Sequence, residues 1–176
     1  NFSVAQLQPL VATGVPILVH QLQYSLVDRR LERGMREFCR AHGIHVLTYG
    51  HLLGGFMAES WLGQSEPDEP YANRSLRKYK LIIEDFGGWA LFQELLAALV
   101  QVGRRHGVGP GEVALRWTLD QELVAGCIVG ATSTRYLQRN TAVFGFALDA
   151  VDVAQLDAVC KRRSGPPGDI YELEND

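Results

Sequence analysis

Three short, nearly continuous apolar runs constrain this chain more than any other feature. Residues 17–22 (Ile17 to Leu22), 45–49 (His45 to Tyr49) and 124–129 (Val124 to Val129) read as strands. A strand with one face in water alternates apolar and polar residues. A strand covered on both faces does not, which is the habit of parallel sheets. The segments between them carry helix signals. Ser3 followed by Gln6 forms a capping box, with Val4, Leu7 and Val11 on one stripe and Gly14 and Pro16 ending the helix. Leu31 to His42 is a helix with Met35, Phe38 and Cys39 inward and Gly43 as its C-terminal cap. Trp89 to Arg105 is the strongest helix, since Phe92, Leu95, Leu96, Leu99 and Val100 repeat at helical spacing. Pro110 sits where a first helical turn tolerates proline, ahead of Val113, Leu115, Trp117 and Leu119. Thr132, Ser133 and Thr134 precede a helix through Val143, and Asp149 or Asp152 caps a last one ending near Arg163.

Strands alternating with helices imply an α/β fold with a parallel sheet. Three strands cannot close a barrel, and an open sheet of three leaves unprotected edges. The chain is therefore expected to be part of something larger, and Asn rather than Met at position 1 points the same way. Residues 51–85, with Gly54-Gly55, Gly63, Pro67 and Pro70, read as a long irregular excursion, and the Pro/Gly-rich stretch 164–176 as a surface tail after a body of 1–163. The 176 residues are 47% hydrophobic with a net charge of −3, which argues for a globular body and against a nucleic-acid or anionic-membrane binder. No apolar run reaches the ~20 residues that span a bilayer. Cys39, Cys127 and Cys160 lack metal or redox spacing and suggest reduced thiols in a cytoplasmic setting, and the five histidines show no metal-ligand pattern.

Four segments then become specific. Asn1-Phe2-Ser3 with its helix, Gln21-Leu22-Gln23-Tyr24-Ser25-Leu26, Gly43 through Leu52, and Gly130-Ala131-Thr132-Ser133-Thr134 ahead of Asn140 resemble, in order and spacing, segments of the aldo-keto reductase superfamily. The resemblance covers nearly the whole chain. It implies the last three βα units of a TIM (β/α)8 barrel, a fold that needs ~250 residues and carries its sites at the carboxyl ends of the strands. It further implies an oxidoreductase that reduces a small carbonyl substrate with NADPH, a tyrosine giving the proton while the nicotinamide delivers hydride. The family's catalytic Asp, Tyr, Lys and His belong to the first half of the barrel, so this chain would supply cofactor binding and need that N-terminal half for closure. Potassium-channel β subunits are similar in fold and act chiefly as binding partners. A non-catalytic cofactor-binding interaction module is thus the alternative, and an inactive truncated product a third.

The resemblance also names site residues. Gln21 and Asn1 match the amides that hydrogen-bond the nicotinamide carboxamide, for which a side chain with both donor and acceptor is suited; a strand-end Gln satisfied by backbone is the plain alternative. Tyr49 matches the aromatic that stacks on the nicotinamide, or is a core tyrosine. Gly50, Leu52 and Gly54 belong to the loop across the pyrophosphate, where His51 replaces the usual proline. Gly130, Thr132 and Ser133 match the cofactor clasp; the hydroxyls there also suit ordinary helix capping. Arg135 would pair with the 2′-phosphate, favouring NADP over NAD, Tyr136 would stack on adenine, and Asn140 would meet its amino group. Tyr136 and Arg139 depart from the family's usual Gln and Glu. Asp28-Arg29-Arg30 is best read as a salt-bridged turn; Trp61 and Trp89 in the excursion line a substrate pocket or, as aromatic residues under a loop more often do, serve packing.

Overall fold

Ser3 opens the first helix, α1 (Val4–Ala12), as its spacing predicts: its hydroxyl accepts from the Gln6 amide, and the Gln6 side chain accepts from the Ser3 amide at 2.8 Å. The computed structural model describes residues 1–71, 73–130 and 133–170, and at Arg135 the main chain alone. In chain order β1 (Val19–Gln23), α2 (Met35–Ala41), β2 (His45–Tyr49), α3 (Arg74–His106), α4 (Pro110–Leu119), β3 (Val124–Cys127), α5 (Leu137–Ala142) and α6 (Ala150–Cys160) follow.

The strands form one parallel sheet in the order β1-β2-β3, with Val19 opposite His45, Gln23 opposite Tyr49 and Thr48 opposite Cys127. β1 begins at 19 rather than 17 because pairing starts where the His45 amide meets the Leu18 carbonyl, at 3.0 Å. β3 ends at Cys127, not 129, although the Ile128 amide still donates to Thr48 at 2.7 Å. One face of this sheet is closed: His20, Leu22, Val46 and Thr48 are buried. The other is not, for Val19 and Gln21 are exposed and Leu47 and Tyr49 half-buried. The apolar runs predict cover on both faces; among the described residues only one side has it.

The excursion needs correcting. Its second part is helix, since α3 starts at Arg74 with the Asn73 side chain accepting from the Leu76 amide. Gly87 (φ 147°) and Gly88 (φ 82°) break α3, so Trp89 does open a helical run, but a second run precedes it. Four cations between Arg74 and Lys80 mask the apolar stripe there, which shows only from Ile82, Ile83 and Phe86 onward. By length and mean composition alone α3 would suffice to cross a bilayer, yet 61% of its apolar window is buried inside the protein. Such burial marks a core helix. Phe92, Leu95, Leu96 and Leu99 belong to the same buried core as Leu22 and Val46, and Phe56, Trp61 and Trp89 join Phe92 in an aromatic cluster with centroids 4.9–6.3 Å apart. Trp61 and Trp89 are packing residues. The Trp89 indole donates to the Gln64 carbonyl at 2.9 Å, tying the excursion down.

The tail reading also changes over residues 164–170. Ser164 bonds to Phe86 and Asp85 through its amide and hydroxyl, Arg30 donates to the Asp169 carbonyl at 2.8 Å, and Ile170 is buried. These residues are part of the body because the break in α3 leaves carbonyls for them to satisfy; positions 171–176 lie outside the described residues.

Candidate functional site

Parallel partners share a face, so Gln21, Leu47 and Tyr49 stand together on the uncovered side of the sheet, with Tyr49 at the carboxyl end of β2. Asn1 joins them. Its main-chain nitrogen donates to the Gln21 carbonyl at 2.9 Å, and its side-chain oxygen accepts the Tyr49 hydroxyl at 2.9 Å. His20, whose ring meets the Phe2 carbonyl at 3.1 Å, fastens the same segment to β1. Three residues drawn from separate segments of the sequence thus converge.

Gly50 turns the chain out of β2 with φ 89°, and a Cβ there would lie 3.0 Å from Gln23 and 3.2 Å from the Tyr79 hydroxyl. At Gly54 (φ 64°) a Cβ would meet Tyr79 at 3.0 Å and the Ser75 main chain at 3.1 Å. The glycines therefore let α3 pack on the turn, whatever else they serve. Leu53 and Gly55 donate their amides within the turn, to Gly50 and Leu52. Leu52 is half-buried and approaches Gly111 of α4.

His51 is 1% exposed and its ring meets the Thr48 hydroxyl at 2.9 Å. Burial pushes its pKa down to about 4, although the contact with Thr48 works the other way. A neutral, enclosed imidazole is no phosphate ligand. It replaces the usual proline as an anchor of the turn. Cys127, 3.5 Å from the same Thr48 hydroxyl, has a thiol pKa raised by burial, and burial lifts Cys39 and Cys160 to about 11, which disfavours the thiolate at all three.

Beyond β3 the chain reaches Gly130, whose Cβ position is open space. Thr132 lies outside the described residues. Ser133 is half-buried and leads into a tight 3-10 turn, Thr134–Tyr136, which holds the Arg135 main chain and runs straight into α5. Tyr136 and Asn140 are half-buried. Arg139, where the family often has Glu, reaches Glu112 of α4 at 2.5 Å and 3.1 Å, so its charge is spent on joining helices. A cleft of about 380 Å³ between Gly109, Glu112, Gln138 and Arg139 runs beside this segment, away from Gln21 and Tyr49.

Asp28-Arg30 is the salt-bridged turn its sequence suggests. Asp28 is fully buried and accepts from the Arg30 side chain at 2.9 and 2.7 Å and from Gln23 Nε2 at 2.7 Å. Arg29 instead pairs with Asp157 at 2.9 Å and lies 4.5 Å over the Trp117 ring. Two residues by the site escape sequence reasoning. Gln23 leaves its Oε1 buried without a partner among the described residues. Lys78 places its ammonium 5.3 Å from the Tyr49 ring centroid. A lysine inside an apparently irregular stretch gives no signal of either neighbour.

The sequence model of the aldo/keto reductase family matches residues 1–161. The chain belongs to this family. Flagellar radial spoke protein 5 of Chlamydomonas reinhardtii is 33% identical over 99% of this chain, which spans 32% of that protein. Among solved structures, a glycerol dehydrogenase from Gluconobacter oxydans superimposes with a TM-score of 0.75 at 22% identity, covering 96% of this chain and 50% of its own. An aldo-keto reductase from Klebsiella pneumoniae in complex with NADPH gives 0.65 at 18% identity, covering 96% and 49%. The chain thus shares the parallel α/β fold of aldo-keto reductase barrels and spans a third to a half of the length of these relatives.

Proposed function

We propose that this chain is the last three βα units, and the cofactor-binding part, of an NADPH-dependent aldo-keto reductase acting on small carbonyl compounds. The observation that carries this reading is the convergence of Asn1, Gln21 and Tyr49 on the uncovered sheet face. The residues present suit a nicotinamide. Two amide side chains offer donors and acceptors for its carboxamide, and a half-exposed aromatic ring offers a stacking face. When bound, the reduced nicotinamide supplies the hydride. Asn1, Gln21 and Tyr49 hold and orient it. The turn with Gly50, Leu52 and Gly54, and the segment with Gly130, Thr132, Ser133, Arg135, Tyr136 and Asn140, serve its phosphates and adenine. One face of Tyr49 already carries Lys78, so stacking uses the other face or shifts that side chain.

The proton donor belongs to an N-terminal half that this reading requires for barrel closure. Residues 1–176 alone should therefore show no NADPH-dependent aldehyde or ketone reduction, while the longer parent protein should, acid–base assistance alone being worth ~10²–10⁴ in rate. Turnover by the isolated chain, free of contaminating reductase, would place the catalytic group here after all. A second reading has one observation in its favour: a relative 33% identical is named for a flagellar radial spoke. A parent that binds NADPH but reduces no carbonyl would favour such a non-catalytic interaction module.

A further inference from the structure

Building on that functional reading, we infer that His51 and Thr48 are positioning residues, a bracket closed behind the sheet that holds Tyr49 and the glycine turn in their cofactor-binding geometry. The turn needs such a tie. Gly50, Gly54 and Gly55 carry positive φ, as does Leu53 at 48°, and glycine's own backbone preferences do little to select one such shape. The main-chain bonds from Leu53 to Gly50, Gly55 to Leu52 and Met57 to Leu52 all close locally. A proline at position 51 would fix one dihedral, and His51 stands there instead.

The His51 ring supplies the tie. Its Nε2 lies 2.9 Å from the Thr48 hydroxyl, and both residues are buried. Tyr49 lies between them in sequence, with its side chain on the opposite face of the sheet. Pinning 48 to 51 on the covered side therefore fixes where the Tyr49 ring stands on the uncovered one, and how Gly50 leaves the strand. Thr48 is itself anchored to β3. Its carbonyl accepts from the Ile128 amide at 2.7 Å, and its hydroxyl lies 3.4 Å from the Gly126 carbonyl and 3.5 Å from Cys127 Sγ. β3 leads to the segment from Gly130, which the functional reading assigns to phosphates and adenine. One buried threonine thus sets ring, turn and clasp relative to one another, and a dinucleotide spanning all three feels its loss. Burial keeps the imidazole neutral, so the bond forms with either tautomer and leaves no charge inside.

The test is a fluorescence titration of the full-length parent with NADPH and with NADH, at a temperature where circular dichroism shows each variant folded. Thr48→Val removes the hydroxyl and keeps the shape. It and His51→Leu should each weaken both cofactors alike, by roughly tenfold. Thr48→Ser, which keeps the hydroxyl, should recover most of the affinity that Thr48→Val loses. The double variant should be little weaker than either single one, since both remove the same bond. Unchanged affinity in either single variant overturns the bracket. So does a loss confined to NADPH, which places the effect at the 2′-phosphate, and so do additive losses, which mean two separate roles. Equal damage from Thr48→Ser and Thr48→Val marks a packing role and overturns it as well. Should His51→Leu fail to fold, the two Thr48 variants decide alone. Wild-type protein that binds neither nucleotide brings down the functional reading itself, an outcome distinct from all of these.

Discussion

On the helix side of the sheet Leu22, Val46 and Thr48 are fully buried, and the loop beyond β1 closes on Asp28, whose carboxylate accepts from Arg30 and Gln23. On the opposite side Val19 and Gln21 are exposed, Tyr49 is half-buried, and the polar contacts run to Asn1. The first side is finished. Its apolar groups are covered and its buried charges paired. The second leaves Gln21 of β1 exposed and Tyr49 half-buried at the carboxyl end of β2, the end at which barrels bind their ligands. The difference teaches which substitutions should be felt in stability and which in binding.

The sharpest break of that contrast is expected at Asp28. Asp28→Ala in the parent protein leaves the 3% exposed Arg30 as a buried charge without its carboxylate, which should cost about 3–5 kcal/mol of unfolding free energy. Gln21→Ala, on the open face, should stay within about 0.5 kcal/mol of wild type. Urea denaturation of both variants checks the pair, and similar losses at the two positions would erase the distinction.

His51 offers a pH test of the closed side. Its folded pKa is pushed down to about 4, below the ordinary value of about 6.5. Between those values the unfolded chain binds the proton and the folded one does not. Stability is therefore full above pH 6.5, falls as the pH drops toward 4, and loses no more from this group below that. The loss by pH 4 should be of the order of 3 kcal/mol. His51→Gln should flatten this part of a stability–pH curve; an unaltered slope would mean that other groups carry it.

The open side should answer in affinity instead. Arg135→Ala in the parent is expected to weaken NADPH by about 10- to 100-fold while leaving NADH nearly unchanged, because a guanidinium–phosphate pair is worth ~1.5–3 kcal/mol and NADH lacks that phosphate. Equal weakening of both cofactors in parallel titrations would indicate a disturbed loop. Melting temperature should scarcely move.

Much of this was legible in the residues. Ser3 with Gln6 and Pro110 mark helix starts through local hydrogen bonds and fixed dihedrals, and both open helices where the pattern puts them; of the alternatives Asp149 and Asp152, Asp149 is the cap of the last helix. The apolar runs mark the strands, with errors of two residues at ends that only pairing defines. That Gln21 and Tyr49 lie on neighbouring parallel strands was also readable. The first half of α3 was not, because its charges hide the stripe, and with it went Lys78. The burial of His51 was likewise out of reach, since a histidine in a glycine-rich turn looks solvated until Thr48 is seen beside it.

Local rules are written in residues a few positions apart, so the sequence by itself determined the strands, most of the helices, their order and the parallel sheet they imply. What joins Asn1 to Tyr49, Asp28 to Arg30 and the tail at Asp169, or Lys78 to two rings, is distance in space. Tertiary structure decided those, along with which sheet face is covered. A side chain's charge state, cover and partners depend on what the fold brings alongside it, and its near neighbours in sequence carry little of that information.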